Sequence, residues 1–113
     1  MIERVHGIDR HKRSSTISVL NRAGEEVRLI SACRDLGVYI ETLGSQDAVV
    51  LEASSGAFWW ADRIEAQGAE CHILDPFRFK IIKDSWTKTD KRDARNMARA
   101  LWVMRISGEF GLP

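Results

Sequence analysis

The chain has 113 residues with a formal net charge of +1 at pH 7, and 44% of its residues are hydrophobic. These values fit one folded domain and exclude a disordered chain. No apolar run approaches the roughly 20 residues of a membrane span, and residues 1–4 lack the order of a secretion signal. We therefore expect a cytoplasmic protein with no membrane partner, with reduced thiols at Cys33 and Cys71 and without a structural zinc site.

The first thirty residues contain three short apolar segments. Residues 5–9, 15–20 and 26–30 each predict a β-strand, because apolar residues either run together or alternate with polar ones. The Asn-Arg-Ala-Gly sequence at residues 21–24 is typical of a hairpin turn. Short connections between consecutive strands predict an antiparallel meander.

The rest of the chain alternates between helix and strand. Helical spacing predicts three helices. The first covers residues 34–43, the second has an apolar face that contains Ala57 and Ile64, and the third starts at Asp90. Residues 48–52 and 71–74 predict strands, and residues 77–89 form a basic connector without a clear period. The order β-β-β-α-β-α-β-α predicts an α/β fold, a mixed five-stranded sheet with helices on both faces.

Four carboxylates occupy positions at which a charged side chain does not contribute to core packing. Asp9 ends the first predicted strand, Glu52 ends the fourth, and Asp90 and Asp93 lie three apart at the start of the last helix. If the fourth strand lies beside the first, Asp9 and Glu52 end side by side. A few carboxylates and a substrate phosphate suffice to bind Mg²⁺, and two such metals can stabilise both oxygens of a phosphodiester displacement.

Each acid alone also has a simpler structural interpretation. Asp90 as an N-cap with Asp93 three residues later is typical of a helix start. Glu52 could be a surface acid at a strand end, and Asp9 could belong to a turn. Two carboxylates about 4 Å apart repel by roughly 4 kcal/mol at an effective dielectric of 20, so four clustered acids make physical sense chiefly around a cation.

The charge is distributed unevenly along the chain. Residues 77–105 contain nine basic and three acidic residues, a net charge of +6, and the remainder carries −5. This distribution favours an anionic partner, with nucleic acid as the first candidate and a solvated charged face as the alternative. The candidate nucleic-acid contacts are Lys12, Arg78, Lys80, Lys83, Lys88, Lys91 and Arg92.

Two further groups have open interpretations. Phe58 and Trp59 could stack on bases or pack against another subunit, but we favour a wide apolar face of the second helix against the sheet. Ser54 and Ser55 could supply a nucleophile, but no neighbouring base is evident, and we favour turn and capping residues.

Several of these segments together resemble a known family. Gly7-Ile8-Asp9 with His11-Lys12, Leu-Glu-Ala-Ser-Ser-Gly at residues 51–56, and Lys-Thr-Asp-Lys-Arg-Asp-Ala at residues 88–94 closely resemble the DEDD transposases of the Piv/IS-one-ten insertion-sequence family. Asp75-Pro76 looks like that family's Asn-Pro segment with Asp in the first place. The resemblance covers nearly the whole chain.

The resemblance implies a RuvC-like, ribonuclease-H-type fold in which Asp9, Glu52, Asp90 and Asp93 bind Mg²⁺, with Mn²⁺ as the alternative. It implies DNA strand cleavage and exchange during transposition, with DNA as partner, a guide RNA in some members, and a homo-oligomeric full-length protein. Family members add a C-terminal domain with a serine proposed as nucleophile. We therefore expect residues 1–113 to form the N-terminal domain and not to complete transposition alone.

Two alternatives stay open at this point. One is a stand-alone junction resolvase or nuclease of the same fold. The other is a nucleic-acid-binding or oligomerisation module without turnover, in which the four acids are caps and surface charges.

Overall fold

A computed structural model describes residues 1–75 and 93–108 of the chain. Its elements are β1 (Arg4–Arg10), β2 (Ser15–Asn21), β3 (Glu26–Cys33), α1 (Leu36–Ile40), β4 (Asp47–Glu52), α2 (Ala57–Ala66), β5 (Glu70–Leu74), α3 (Asp93–Trp102) and a π-helical turn (Val103–Ser107). The predicted mixed α/β architecture with five strands is confirmed. The predicted connector at 77–89 and Asp90 lie outside the described residues.

The five strands form one sheet with β1 at its centre. The order across the sheet is β3-β2-β1-β4-β5. β1, β2 and β3 are antiparallel neighbours because short connections join them, whereas β4 runs parallel to β1 and β5 runs parallel to β4. The parallel pairs follow the crossovers that contain α1 and α2, as parallel pairing requires.

Both faces of the sheet are covered, which explains the continuous apolar run of β4. Val49 and Leu51 pack in a cluster with residues of α1 and α2. Ala48 and Val50 point the other way and pack with Met97 and other residues of α3. None of the helices in the described part of the chain is long and apolar enough to cross a membrane.

The first helix is shorter than the predicted segment 34–43. Asp35 caps it, because its carboxylate accepts a hydrogen bond from the Val38 N–H at 3.1 Å, and the helix begins at Leu36. At the other end, the Thr42 hydroxyl donates to the Tyr39 carbonyl at 2.6 Å, and the chain leaves the helix in a turn. The polar side chains at both ends therefore limit α1 to five residues.

A buried polar network joins the start of β4 to β1 and α1. His6 and Asp47 are only 4% and 2% exposed. The carboxylate of Asp47 accepts hydrogen bonds from His6 Nε2 at 2.8 Å, from Arg4 Nε at 2.8 Å and from the Gly44 N–H at 2.9 Å. The other His6 ring nitrogen, Nδ1, lies 2.6 Å from the hydroxyl oxygen of Tyr39.

This network controls the charge of Asp47. Burial by itself would raise the pKa of the carboxyl, but the hydrogen bonds from His6, Arg4 and Gly44 together lower that pKa well below its ordinary value. Burial raises the pKa of the Tyr39 phenol, so this group keeps its proton at neutral pH. The folded protein therefore stabilises Asp47 in its ionised form.

We expect Asp47→Asn to lower the free energy of unfolding at pH 7 by about 3 kcal/mol, because it removes the buried carboxylate that accepts hydrogen bonds from His6, Arg4 and Gly44. A carboxyl whose pKa is lowered on folding stabilises the protein above its unfolded pKa of about 4, and this contribution is lost as the pH falls further. The difference between wild type and variant should therefore shrink below about pH 4.

Urea unfolding at a series of acidic and neutral pH values measures this difference. Asp62→Asn, which changes an exposed carboxyl on α2, is the matched control and should leave the stability nearly unchanged. If the stability difference between the wild type and the Asp47→Asn variant stays constant down to the most acidic sample, the assignment is contradicted.

Candidate functional site

The register of the central parallel pair brings two of the four acids to the same level. Ile8 of β1 lies opposite Leu51 of β4. The next residues, Asp9 and Glu52, therefore stand beside each other at the carboxyl ends of neighbouring strands. Because Ile8 and Leu51 belong to the cluster under α1 and α2, the alternation of side chains directs Asp9 and Glu52 to the face that α3 covers.

A glycine in β1 brings the start of α3 to the same place. A Cβ built on Gly7 would clash with the carbonyl oxygen of Ala94 and would lie 2.5 Å from the backbone nitrogen of Ala98. The helix backbone thus packs directly on the β1 backbone, which only glycine permits. Asp93 immediately precedes Ala94, so the first residue of α3 lies on the face that carries Asp9 and Glu52.

The three described acids share a face without forming a ready-made cage. In residues 1–75 and 93–108, no group of three or more His, Cys, Asp or Glu side chains is placed to hold a metal ion. Asp9, Glu52 and Asp93 are each partly buried. One carboxylate oxygen of Asp9 lies 3.1 Å from His11 Nε2. The fourth predicted ligand, Asp90, lies outside the described residues.

The loop after Glu52 is tied to the end of β1. Arg10 Nη2 donates to the Ser54 hydroxyl oxygen and to the Ser55 carbonyl, each at 2.8 Å. The Ser54 hydroxyl in turn donates to the Glu52 carbonyl at 3.3 Å. These contacts agree with the interpretation of both serines as turn residues. They also hold the chain directly after Glu52 against the strand that carries Asp9.

The prediction that Phe58 and Trp59 pack against the sheet is wrong. Phe58 is 74% exposed and Trp59 is 57% exposed. The stripe that α2 buries consists of Ala57, Ala61 and Ile64, at positions i, i+4 and i+7. Small alanines let the helix approach the sheet closely along this stripe, and the aromatic residues at the next two positions rotate out of it.

A basic cavity opens beside the end of β1. Its volume is about 310 Å³, and it lies between the β1–β2 connection and the segment that leads into α1. Trp60 lines it from α2. Besides His11, the lining contains four cations and one acid, namely Arg10, Lys12, Arg13, Arg34 and Asp35.

Sequence patterns missed most of this cavity. Lys12 is among the predicted nucleic-acid contacts and is exposed in the cavity lining. Arg13 and Arg34 are twenty-one positions apart and meet only because β2 and β3 pair, so no local pattern links them. The other predicted contacts, Arg78, Lys80, Lys83, Lys88, Lys91 and Arg92, lie outside the described residues.

Comparison with known proteins adds no family assignment. No family model matches the sequence, and no curated protein matches it significantly.

We expect Gly7→Ala to destabilise the fold by about 3 kcal/mol or more, because the new methyl group must push the α3 backbone off β1. Denaturant unfolding measures this loss. The control is Gly44→Ala, where a built Cβ meets no atom within 4 Å, and which should change the stability by less than about 1 kcal/mol. Equal stabilities of the two variants would show that α3 does not depend on this close approach.

Proposed function

We propose that the chain is the metal-dependent, DNA-processing domain of a DEDD-type insertion-sequence transposase, with a RuvC-like, ribonuclease-H-type fold. It acts in DNA strand cleavage and exchange during transposition. The observation that carries this proposal is the shared level of Asp9 and Glu52 on neighbouring parallel strands, with Asp93 at the start of the helix that covers the same face.

The sheet supports the proposal through the position of its central strand. β1 lies between an antiparallel hairpin partner and a parallel crossover partner, so the carboxyl ends of β1 and β4 meet at one edge. Ligands of α/β sheets bind outside the carboxyl ends of the strands. The arrangement β3-β2-β1-β4-β5 is compatible with the fold that the motif resemblance implies, and the resemblance places its acids at this same edge.

The acids fit a divalent cation in donor type and in placement. Carboxylate oxygens are the ligands that Mg²⁺ and Mn²⁺ prefer, and Mg²⁺ keeps several waters, so it does not require an enclosed cage. Asp9 and Glu52 would hold the ion from the strand ends and Asp93 from α3, with Asp90 proposed as the fourth ligand. When bound, the ion would supply charge stabilisation for the attacking and leaving oxygens of a phosphodiester.

The remaining residues of the site position these acids. Arg10 fixes the loop after Glu52 to the end of β1 through two hydrogen bonds to uncharged oxygens. The imidazole of His11 lies beside Asp9, with Nε2 3.1 Å from a carboxylate oxygen. Gly7 lets the backbone of α3 pack directly on β1, which keeps the helix that begins with Asp93 against the face of Asp9 and Glu52.

Calorimetric titration of the chain with Mg²⁺ tests the proposal. Asp9→Asn and Glu52→Gln should each weaken Mg²⁺ binding by at least about tenfold, or about 1.4 kcal/mol, because each removes a charged ligand. Asp62→Asn on α2 is again the matched control and should bind as the wild type does. Circular dichroism checks that the variants keep the fold.

Two outcomes would contradict the proposal in different ways. If the chain does not bind Mg²⁺, or if both acid variants bind it as the wild type does, the metal site is contradicted. Either result would favour a nucleic-acid-binding module. Robust cutting of branched DNA by the chain alone in Mg²⁺ or Mn²⁺, lost in Asp9→Asn, would favour a stand-alone nuclease.

A further inference from the structure

One continuous surface on the other side of the sheet from α3 combines the exposed ring of Trp59 and the partly buried ring of Trp60 with clustered cations. It extends from the basic cavity beside β1 across the outer side of α2. We call it the aromatic–basic surface, and it consists of Lys12, Arg13, Arg34, Trp59, Trp60 and Arg63. We infer that this surface binds a single-stranded nucleic acid, with bases on the aromatic rings and phosphates at the cavity cations.

The cavity end of the surface has the charge that a phosphate backbone requires. Lys12, Arg13 and Arg34 are exposed and line the same cavity. Arg10 adds a fourth cation whose hydrogen bonds to Ser54 and Ser55 oxygens do not neutralise its charge. Asp35 is the carboxylate of the lining, and its side chain also caps α1. The lining therefore keeps a clear positive excess.

The α2 end of the surface presents rings rather than an apolar groove. Trp59 keeps 57% of its surface exposed and lies edge-on to Trp60, with ring centroids 4.8 Å apart. The Arg63 guanidinium lies 4.9 Å from the centre of the Trp59 ring. Such cation–π contact orients a ring and leaves its remaining surface available for stacking on a base.

Arg63 and Trp60 connect the two ends. The Arg63 guanidinium carbon is 5.9 Å from the centre of the Trp60 ring, and Trp60 lines the basic cavity. Arg63 also reaches the start of α1, because a Cβ built on Gly37 would lie 3.4 Å from Arg63 Nη2. A strand that stacks on Trp59 could therefore continue over Arg63 to the cations of the cavity.

Charge and ring exposure together favour a single strand over the other occupants. Bases of a duplex are already stacked on one another, whereas an unpaired base can stack on Trp59. A protein partner, including a second copy of this chain, would bury the rings but would also cover Lys12, and lysine is depleted in the cores of protein interfaces. The inference rests on the proposed function for the class of polymer, but it does not require the metal site.

Fluorescence anisotropy of the chain with short labelled oligonucleotides tests the inference. The probes are single-stranded oligodeoxyuridylate, oligouridylate of the same length and a DNA duplex, all in EDTA so that the metal site plays no part. The variants are Trp59→Ala and the double variant Lys12→Ala/Arg13→Ala. The matched controls are Met104→Ala, an exposed hydrophobic residue, and Arg99→Ala, an exposed cation, both in the segment that covers the opposite face.

Ring and charge variants should change different quantities. Trp59→Ala should weaken single-strand binding by about tenfold without changing its salt dependence, because stacking is not ionic. The double charge variant should reduce the slope of log K against log salt by about 1.4, since each phosphate contact of a single strand contributes about 0.7. Oligodeoxyuridylate and oligouridylate should both bind more tightly than the duplex, and a preference between them identifies DNA or RNA as the source, because the two differ only in the 2′-hydroxyl.

The inference fails if Trp59→Ala binds oligonucleotides as the wild type does, or if the duplex binds as tightly as the single strands. It also fails if sedimentation shows a wild-type dimer that Trp59→Ala dissociates without loss of oligonucleotide binding, since the surface is then a protein interface. Titration of Trp59→Ala with Mg²⁺ separates the two proposals. If Trp59→Ala still binds Mg²⁺ but no longer binds oligonucleotides, both the metal site and the single-strand surface are supported. If neither the wild type nor any variant binds Mg²⁺, only the metal site is contradicted.

Discussion

The parallel pairing of β1 with β4 is the constraint on which the rest of this structure depends. It places Ile8 opposite Leu51, and the next pair of residues must then be Asp9 and Glu52 at one edge of the sheet. Carboxylates that approach each other at such an edge repel unless a cation lies between them. This electrostatic argument is the physical reason for connecting the pairing of β1 and β4 to the metal site proposed above.

The sheet separates the acids of the proposed metal site from the cations and rings of the aromatic–basic surface. The acids Asp9, Glu52 and Asp93 lie on the face covered by α3, where Gly7 permits direct contact between backbones. The cations and rings of the aromatic–basic surface lie on the side of α1 and α2. Both sets approach the carboxyl end of β1, where Arg10 connects the strand to the loop before α2. A nucleic acid could therefore contact cations on one side while its phosphate approaches the acids on the other.

Local patterns predict the elements of this fold well and their surfaces less well. Alternation and apolar runs predict the five strands because half or all of each strand is buried, and the i, i+3, i+4 spacing after Asp93 predicts α3 for the same reason. The length of α1 depends on Asp35, whose side chain caps the start of the helix, and on Thr42, whose hydroxyl bonds to the Tyr39 carbonyl at its end. The exposure of Trp59 depends on small alanines that narrow the buried stripe of α2, and hydrophobicity alone gives the opposite prediction. The basic cavity could not be predicted locally, because strand pairing alone brings its cations together.

The buried network around Asp47 has a consequence for alignment. If β4 slipped by one residue along β1, Asp47 would turn away from His6 and Arg4, and an ionised group would lose its partners inside the protein. The same slip would shift Glu52 out of register with Asp9 and turn its side chain away from the face that α3 covers. The contact between His6 and Asp47 at the start of β4 thus fixes the register that sets the position of Glu52 at the end of the same strand.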